Sequence, residues 1–353
     1  MLNRVIFVIM ALVLMFSLGV CGARTADDYS EPERKTEFSE SEVSEESFVS
    51  VAPTAADDMP AGARAMTPPQ PEGEISVVVL GDSIARGHGL RNIETERFSA
   101  VLGDLLRNKY AAVNVYNYAH DGYNGTNLLN QIRNTSAEEI KNAECILISI
   151  GGNNVLNAFS VMGEAFGFSG LDPNLVLQLI EKIANNEFSV DSDLELALDT
   201  LENLIKRINK AFESKEYERL ITEAGEKLYS EIPQIVKALR VLNPDARIYI
   251  QTVYNPYHNV SFSIRGADGS INLSHHGERA VSKLNEAIES LAEENGYTVV
   301  PVHDAFAESE NSLTNAGYGF LKLCFSADPH PNASGHALMG QIYYEYLTET
   351  ENG

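Results

Sequence analysis

The sequence predicts an α/β fold with a five-stranded parallel sheet and helices on both faces. Short apolar runs rich in β-branched residues recur along the chain, which is typical of buried strands. Stretches with apolar residues at helical spacing separate these runs, and such alternation builds a parallel sheet covered on both sides. The chain has 353 residues, of which 44% are hydrophobic and 22% charged. These values are ordinary for one large globular domain with extensions.

Five runs are predicted as strands, at residues 75–80, 112–118, 145–150, 246–253 and 297–302. Apolar residues at helical spacing predict helices through residues 98–106, around 128–132 and over 333–347. Thr126 or Asn127 is expected to cap the second of these helices, because short polar side chains accept the free N–H groups of a first turn.

Residues 155–241 carry no strand signal and are predicted as a helical insertion between the third and fourth strands. Helical stretches are expected at 175–183, 192–208 and 221–239, and Pro233 is expected to kink or break the last of them. The insertion follows the Gly-Gly-Asn-Asn loop at residues 151–154. It is therefore expected near the end of the third strand, where it would form a wall or lid.

The N-terminus has the layout of an export signal. A short basic start precedes an apolar, uncharged run over residues 5–20, which is short for a transmembrane helix. Residues 1–24 are therefore predicted as a signal peptide or lipoprotein signal, and three outcomes stay open. They are lipidation of Cys21, plain cleavage near Gly22 and Ala23, and an uncleaved anchor.

Residues 25–74 are predicted to be an acidic, disordered linker, and residues 75–353 the folded domain. Between Asp27 and Glu74 the chain carries 13 acidic and 3 basic residues, too polar a composition to offset the entropy of ordering. The whole chain has a formal charge of −24, which argues against nucleic acid and anionic membrane surfaces as partners. Cys145 and Cys324 are expected either to be buried thiols or to form a disulfide.

The Gly-Asp-Ser sequence at residues 81–83 ends the first predicted strand. Ligands of open α/β sheets bind at the carboxyl ends of the strands, and the hydroxyl of Ser83 becomes a nucleophile there if a base reaches it. The same three residues are also common in ordinary turns. Neither a phosphate-binding Gly-Lys-Ser/Thr sequence nor a Gly-x-Ser-x-Gly elbow is present at this position, so support for Ser83 must come from elsewhere in the chain.

Three later stretches supply that support. Gly122 follows the second predicted strand, Gly-Gly-Asn-Asn follows the third, and Asp-Pro-His-Pro-Asn at residues 328–332 precedes the last helix. This ordered set resembles the SGNH (GDSL) hydrolase family, and in particular its bacterial secreted lipase and acylhydrolase members. The resemblance covers about residues 75–347 apart from the insertion, and it implies a flavodoxin-like three-layer fold.

The resemblance assigns a role to each matching residue. Ser83 matches the nucleophile, His330 the general base and Asp328 the carboxylate that orients the imidazole. The backbone N–H groups of Ser83 and Gly122, together with the side-chain amide of Asn153, match the oxyanion hole. These roles agree with the chemistry, because a serine needs a base and the tetrahedral oxyanion needs preorganised donors.

Two positions depart from the family pattern. The usual Asp-x-x-His is shortened here to Asp-Pro-His, so either Asp328 or a backbone carbonyl is expected to orient His330. Asn154 stands where many relatives have Asp, and we expect it to form a turn. Asp82 is expected to structure its turn by hydrogen bonds to nearby backbone rather than to transfer protons.

The remaining histidines show no metal-ligand spacing, so no metal and no cofactor are expected. His88, five residues after Ser83, is expected in a surface loop, with a position facing the pocket as the alternative. His336 is expected in packing or capping of the last helix. The other five are His120, His258, His275, His276 and His303.

The expected function is hydrolysis of carboxylic esters through an acyl-enzyme, outside the cytoplasm of a bacterial cell. The enzyme would be secreted or tethered to the outer face of the membrane through its N-terminus. O-acetylated carbohydrate and fatty-acyl esters both remain open as substrates, and the oligomeric state is open. A catalytically inactive protein that binds cell-wall glycan is the alternative, and it would require the loss of Ser83, Asn153 or His330.

Overall fold

The computed structural model describes residues 71–156, 202–203, 205–263, 270–318, 325–326 and 328–349. The strands are β1 (Glu74–Gly81), β2 (Ala112–Asn117), β3 (Cys145–Ser149), β4 (Arg247–Gln251), β5 (Ser261–Ser263), β6 (Ser270–Asn272), β7 (Thr298–Val300), β8 (Gly317–Tyr318) and β9 (Phe325–Ser326). The helices are α1 (Ser83–Arg86), α2 (Ile93–Glu96), α3 (Phe98–Leu106), α4 (Gly125–Asn134), α5 (Glu138–Lys141), α6 (Lys215–Leu242), α7 (Leu273–Ser290), α8 (Ala292–Asn295), α9 (Val302–Glu308) and α10 (Ala333–Glu349). Residues 152–156 and 205–212 are also helical.

The five predicted strands form one parallel sheet, which confirms the predicted fold class. Their order is β2-β1-β3-β4-β7, and every pairing is parallel. The chain leaves β1 toward β2 on one side and then returns to β3 on the other. A crevice opens where the strand order reverses in this way, at the carboxyl ends of β1 and β3.

Helices cover both faces of the sheet, because successive residues of each strand point to opposite sides. Val78 and Leu80 of β1 pack in the core that contains α4, α6 and α7. Val77 and Val79 pack in the core that contains α3, α9 and α10. Both faces of the strands are apolar for this reason, and the runs carry the strand signal without alternation.

Helix α6 is a single helix of 28 residues that contains Pro233, so of the two expected effects, a kink or a break, the break is wrong. Proline removes one backbone donor, but burial of the apolar stripe along α6 outweighs that loss. This stripe includes Leu228, Ile232, Ile235 and Leu239, each at most 1% exposed. The expected helical stretches at 175–183 and before 202 lie outside the described residues, so the full insertion stays a prediction.

The predicted cap of α4 is wrong by two or three residues. The cap is Asn124, whose side chain accepts the N–H of Asn127 at 3.1 Å. The side chain of Asn127 in turn accepts the N–H of Asn124 at 3.2 Å, which completes a capping box. The helix therefore begins at Gly125, a residue type whose low helix propensity conceals this start in the sequence.

Several elements are absent from the sequence-based prediction. The strand pairs β5–β6 and β8–β9 have only two or three residues per strand, too few to show periodicity. Helix α7 is absent from it as well, although its buried residues recur at helical spacing. Strand β1 begins at Glu74, within the range predicted as linker.

Cys145 is buried in β3, whereas Cys324 lies outside the described residues. In the described part of the chain, no helix is long and apolar enough to cross a membrane.

Candidate active site

Ser83 follows β1 at the carboxyl edge of the sheet and is the first residue of α1. Gly81 has a φ of 136°, and a Cβ atom there would lie 1.9 Å from the carbonyl oxygen of Ser149. Only glycine therefore lets the chain turn this close to β3. The carboxylate of Asp82 caps α1 by accepting the N–H of Ile84 at 3.0 Å. This turn presents the side chain of Ser83 beyond the end of β1.

His330 lies in the loop before α10, and its ring joins two of the predicted site residues. Its Nε2 is 2.9 Å from Oγ of Ser83, and its Nδ1 is 2.6 Å from Oδ1 of Asp328. The hydroxyl of Tyr254 donates to the carbonyl oxygen of Pro329 at 2.8 Å. The loop after β4 therefore holds the loop that carries Asp328 and His330.

The protonation of Asp328 sets the direction of these hydrogen bonds. Burial raises the pKa of the carboxyl, but hydrogen bonds from the ring and backbone N–H of His330, its charge and the side chain of Asn315 together bring the pKa below its usual value. The ionised carboxylate only accepts, so Nδ1 of His330 carries a hydrogen. A neutral imidazole then has its lone pair on Nε2, directed at the hydroxyl of Ser83.

The three predicted oxyanion donors follow three different strands, β1, β2 and β3. The N–H of Ser83 is at the first position of α1, where no carbonyl of its own helix can accept it. Gly122 has a φ of 74°, and a Cβ atom there would meet nothing within 4 Å. The amide of Asn153 donates to the carbonyl oxygen of Tyr123 at 2.8 Å, which ties the loop after β3 to the loop after β2. One hydrogen of that amide remains for another acceptor.

His88 lies against the candidate site, which is the alternative that the sequence left open beside a surface loop. Its ring centroid is 4.5 Å from that of His330, and its Nδ1 is 3.5 Å from Oδ2 of Asp121. Arg86 donates to the same carboxylate oxygen at 2.7 Å. The side chain of His88 is 52% exposed. It therefore lies at the protein surface, as expected for a surface loop, while its ring also packs against that of His330.

Asp82 is buried next to Ser83 and takes part in the turn as predicted from the sequence. Burial raises the pKa of its carboxyl to about 6, although hydrogen bonds from the N–H of Ile84 and the hydroxyl of Ser149 act in the opposite direction. A carboxyl with this pKa changes its charge near neutral pH, which gives the structure a titratable group beside the candidate nucleophile.

An apolar cavity opens beside Ser83 and His330. Its walls come from the turn after β1, the first turn after β3, the loop after β4 and one face of α7. The apolar side chains that line it are Ile84, Val155, Leu156, Val253, Pro256, Ala280, Val281 and Leu284. The polar side chains that line it are those of Asp82, Ser83, Asn153, Tyr254, Tyr257 and His330. Such a space accommodates an apolar group bonded to a polar reacting centre.

The remaining described histidines take part in packing or surface contacts. His336 of α10 is buried, and its Nδ1 accepts the N–H of Phe98 at 3.2 Å. Burial lowers the pKa of His336 to about 4, so this ring is neutral at pH 7. His303 lies between the carboxylates of Glu278 and Asp304, at 3.0 and 2.9 Å. Within the described ranges, no group of three or more His, Cys, Asp or Glu side chains is arranged to hold a metal ion.

Comparison with known proteins adds one family match. Residues 79–338 match the GDSL-like lipase/acylhydrolase family, a range that contains every residue of the candidate site. No curated protein matches the chain.

Several solved structures are similar to this chain at low sequence identity. An extracellular lipase from Streptomyces rimosus is 14% identical, with 77% of this chain and 99% of that chain covered and a TM-score of 0.48. A phospholipase A1 from Streptomyces albidoflavus is 16% identical, with coverages of 78% and 99% and a TM-score of 0.44. A variant of an acetyl xylan esterase from Geobacillus stearothermophilus is 14% identical, with coverages of 79% and 96% and a TM-score of 0.46. At identities this low, the substrates of these proteins are not assigned to this chain.

Proposed function

Because the chain belongs to the GDSL-like lipase/acylhydrolase family and is a serine ester hydrolase, we propose that it cleaves carboxylic esters through an acyl-enzyme formed on Ser83. The observation that carries the proposal is the continuous hydrogen-bonded series from Asp328 through His330 to Ser83, with distances of 2.6 and 2.9 Å. This series has the order of groups that activates a serine hydroxyl.

In the first half of the reaction, Oγ of Ser83 attacks the ester carbonyl carbon while Nε2 of His330 takes the hydroxyl proton. The carbonyl oxygen becomes an oxyanion that accepts hydrogen bonds from the N–H groups of Ser83 and Gly122 and the amide of Asn153. The carboxylate of Asp328 stabilises the imidazolium. The tetrahedral intermediate then breaks its bond to the alcohol oxygen, which leaves with the proton from His330.

In the second half, a water molecule gives a proton to Nε2 of His330 and attacks the acyl carbon. The same donors hold the second oxyanion. The bond to Oγ of Ser83 breaks, the proton returns to Oγ, and a carboxylic acid is released. No further reactant is needed, and the ionised Asp328 keeps the imidazole in one tautomer throughout.

The cavity supports an aliphatic acyl ester as substrate in preference to an acetylated carbohydrate. Its walls are mainly aliphatic side chains, whereas a sugar would require polar partners along its length. Each buried methylene contributes about 0.8 kcal/mol, so a chain of several carbons gains binding that an acetyl group does not. The inactive alternative would require a lost catalytic residue, and Ser83, Asn153 and His330 are all present.

We also propose that the enzyme acts outside the cytoplasm. The support is the N-terminal sequence, in which a basic start and an apolar run precede a polar acidic segment. Lipidation of Cys21 or an uncleaved anchor would tether the enzyme, and plain cleavage would release it. Mass spectrometry of the protein from membrane and medium fractions distinguishes these three outcomes.

The deciding experiment is hydrolysis of p-nitrophenyl esters of increasing chain length by the wild type and by Ser83→Ala. Removal of a serine nucleophile costs about 10⁶ in kcat, so the variant should be inactive while its thermal unfolding stays normal. For the wild type, kcat/KM should rise from acetyl to medium-chain esters. Near-wild-type hydrolysis by Ser83→Ala would overturn the mechanism, and a preference for acetyl would overturn the aliphatic substrate.

A further inference from the structure

A series of buried hydrogen bonds runs through the core to the residue before Ser83. The hydroxyl of Tyr343 donates to Oε1 of Gln251 at 3.1 Å, and Nε2 of Gln251 donates to Oγ of Ser149 at 3.0 Å. Oγ of Ser149 donates in turn to Oδ1 of Asp82 at 3.2 Å. None of these four residues is more than 2% exposed. We call the four residues the Asp82 chain.

The Asp82 chain crosses three neighbouring strands at their carboxyl ends. Tyr343 lies on α10, Gln251 ends β4, Ser149 ends β3, and Asp82 follows β1. The chain therefore connects the helix that follows His330 with the turn that carries Ser83, by a path that does not pass through either side chain.

When Asp82 is ionised, its charge fixes the direction of every hydrogen bond in the chain. An ionised carboxylate only accepts, so the hydroxyl of Ser149 must donate to it. Oγ of Ser149 then accepts from Nε2 of Gln251, which leaves Oε1 of Gln251 to accept the hydroxyl of Tyr343. Each donor points toward Asp82, and removal of one changes the orientation of the rest.

Polar side chains are costly in a core unless their hydrogen bonds are satisfied, and apolar residues at these positions would avoid that cost. Ser149 contacts Asp82 twice, because its carbonyl oxygen also accepts the N–H of Asp82 at 3.1 Å. Asp82 in turn caps the helix that begins with Ser83. The chain therefore fixes both the backbone and the side chain of the residue on which the orientation of Ser83 depends.

We propose that Gln251 and Tyr343 are positioning residues for Ser83, acting through Ser149 and Asp82. The proposal rests on the proposed function, in which Ser83 is both nucleophile and oxyanion donor. A small rotation of Asp82 moves the hydroxyl and the N–H of Ser83 together. A misplacement of about 1 Å in such a group can lower the rate about 10²-fold.

The test uses single and double variants of the full-length protein. Tyr343→Phe removes only the last donor, and it should lower kcat for a p-nitrophenyl ester about fivefold with KM unchanged. Gln251→Met removes the central amide at similar length and should lower kcat by one to two orders of magnitude. Tyr343→Phe added to Gln251→Met should cause no further loss of kcat, because the chain is already interrupted.

Tyr297→Phe is the matched control, because Tyr297 is also buried and its hydroxyl donates to the carbonyl of Ile288, outside the Asp82 chain. It should lower the melting temperature about as much as Tyr343→Phe while kcat stays at the wild-type value. A purely structural role would give equal kcat in the two tyrosine variants.

Wild-type kcat in Tyr343→Phe would overturn the proposal, and so would additive losses in the double variant. If Gln251→Met fails to fold, the comparison of the two tyrosine variants still decides. Ser83→Ala, measured in parallel, separates the two hypotheses. Activity in Ser83→Ala refutes the proposed function, whereas an inactive Ser83→Ala with unaffected Tyr343→Phe refutes only the positioning role.

Discussion

Nδ1 of His330 lies 2.6 Å from Oδ1 of Asp328, although Pro329 is the only residue between them. The same carboxylate oxygen accepts the backbone N–H of His330 at 3.1 Å, as in a turn closed by an Asp side chain. Tyr254 holds the intervening carbonyl group at 2.8 Å. The shortened spacing therefore still brings the carboxylate to the imidazole, because the loop is folded into a turn rather than extended.

We expect Asp328→Asn to lower kcat/KM for ester hydrolysis strongly. An amide in place of the carboxylate favours the wrong imidazole tautomer, and the comparable change in a serine protease costs about 10⁴ in kcat. Asp328→Ala should be less harmful if water takes the position of the carboxylate. The measurement is kcat/KM against pH for the wild type and both variants.

Asp304→Asn is the control for this prediction, because Oδ1 of Asp304 is 2.9 Å from Nδ1 of His303, a pair that does not line the cavity. This variant should keep wild-type activity. Near-equal profiles for the wild type and Asp328→Asn would mean that another acceptor orients His330.

The sequence predicted the sheet and the candidate site residues because both depend on local signals. The run at residues 145–148 is fully buried and apolar, so it shows as a strand without reference to any partner. Ser83, Gly122 and Asn153 each follow such a run, and His330 comes shortly before a clear helix. Parallel strands bring these ends to one edge of the sheet.

The contacts that support the site could not be predicted, since they join residues far apart in the chain. Tyr254 and Pro329 are 75 residues apart, and Gln251 and Tyr343 are 92 apart. No local pattern marks such a pair, and a buried tyrosine has the same sequence signal whether or not its hydroxyl is bonded.

We expect Asp82→Asn to remove a pH-dependent contribution to stability. The pKa of Asp82 is about 6 in the folded protein, against 3.8 for an unperturbed Asp carboxyl, so the folded state binds the proton more tightly than the unfolded chain. The stabilisation that the proton on Asp82 gives the folded state is therefore fully present below about pH 4. It is lost as the pH rises through about 6, which changes the free energy of unfolding by about 3 kcal/mol. The asparagine variant has no such proton to lose.

The measurement is the free energy of unfolding in urea between pH 4 and pH 7. The free energy of unfolding of the wild type minus that of Asp82→Asn should decrease as the pH rises, by up to about 3 kcal/mol. Asp104→Asn is the control, because it is the same substitution at a side chain that is 73% exposed. A pH-independent difference would show that burial does not hold the proton on Asp82.

We expect Leu156→Asp to reduce the preference for longer acyl chains. Leu156 lines the cavity and is 41% exposed, so the change should leave the fold intact. A carboxylate there should lower kcat/KM for medium-chain esters about tenfold, the effect of losing roughly two buried methylene contacts, with little effect on acetyl esters. Val241→Asp is the control, at an apolar residue that is 77% exposed and does not line the cavity. An unchanged ratio of medium-chain to acetyl activity would contradict an acyl site in this cavity.

We expect Asn153→Ala to lower kcat about 10²–10³-fold, the usual loss for one oxyanion donor. KM should change little, because the donor acts mainly on the charge that develops in the transition state. The variant also loses the hydrogen bond to the carbonyl of Tyr123, so a purely structural loss must be separated from the chemical one. The melting temperature serves this purpose, because a purely structural loss lowers it. Asn153→Asp keeps the size of the side chain, but its carboxylate cannot donate to the Tyr123 carbonyl or to the oxyanion and places negative charge beside the oxyanion.

Both variants should lose kcat, and Asn153→Asp should lose at least as much as Asn153→Ala. Asn134→Ala is the matched control, since its amide donates to a backbone carbonyl of its own helix at 2.8 Å and does not line the cavity. It should keep wild-type kcat. If Asn153→Ala retains kcat within a few-fold of the wild type with a normal melting temperature, Asn153 does not stabilise the oxyanion. The N–H groups of Ser83 and Gly122 would then be the remaining candidate donors.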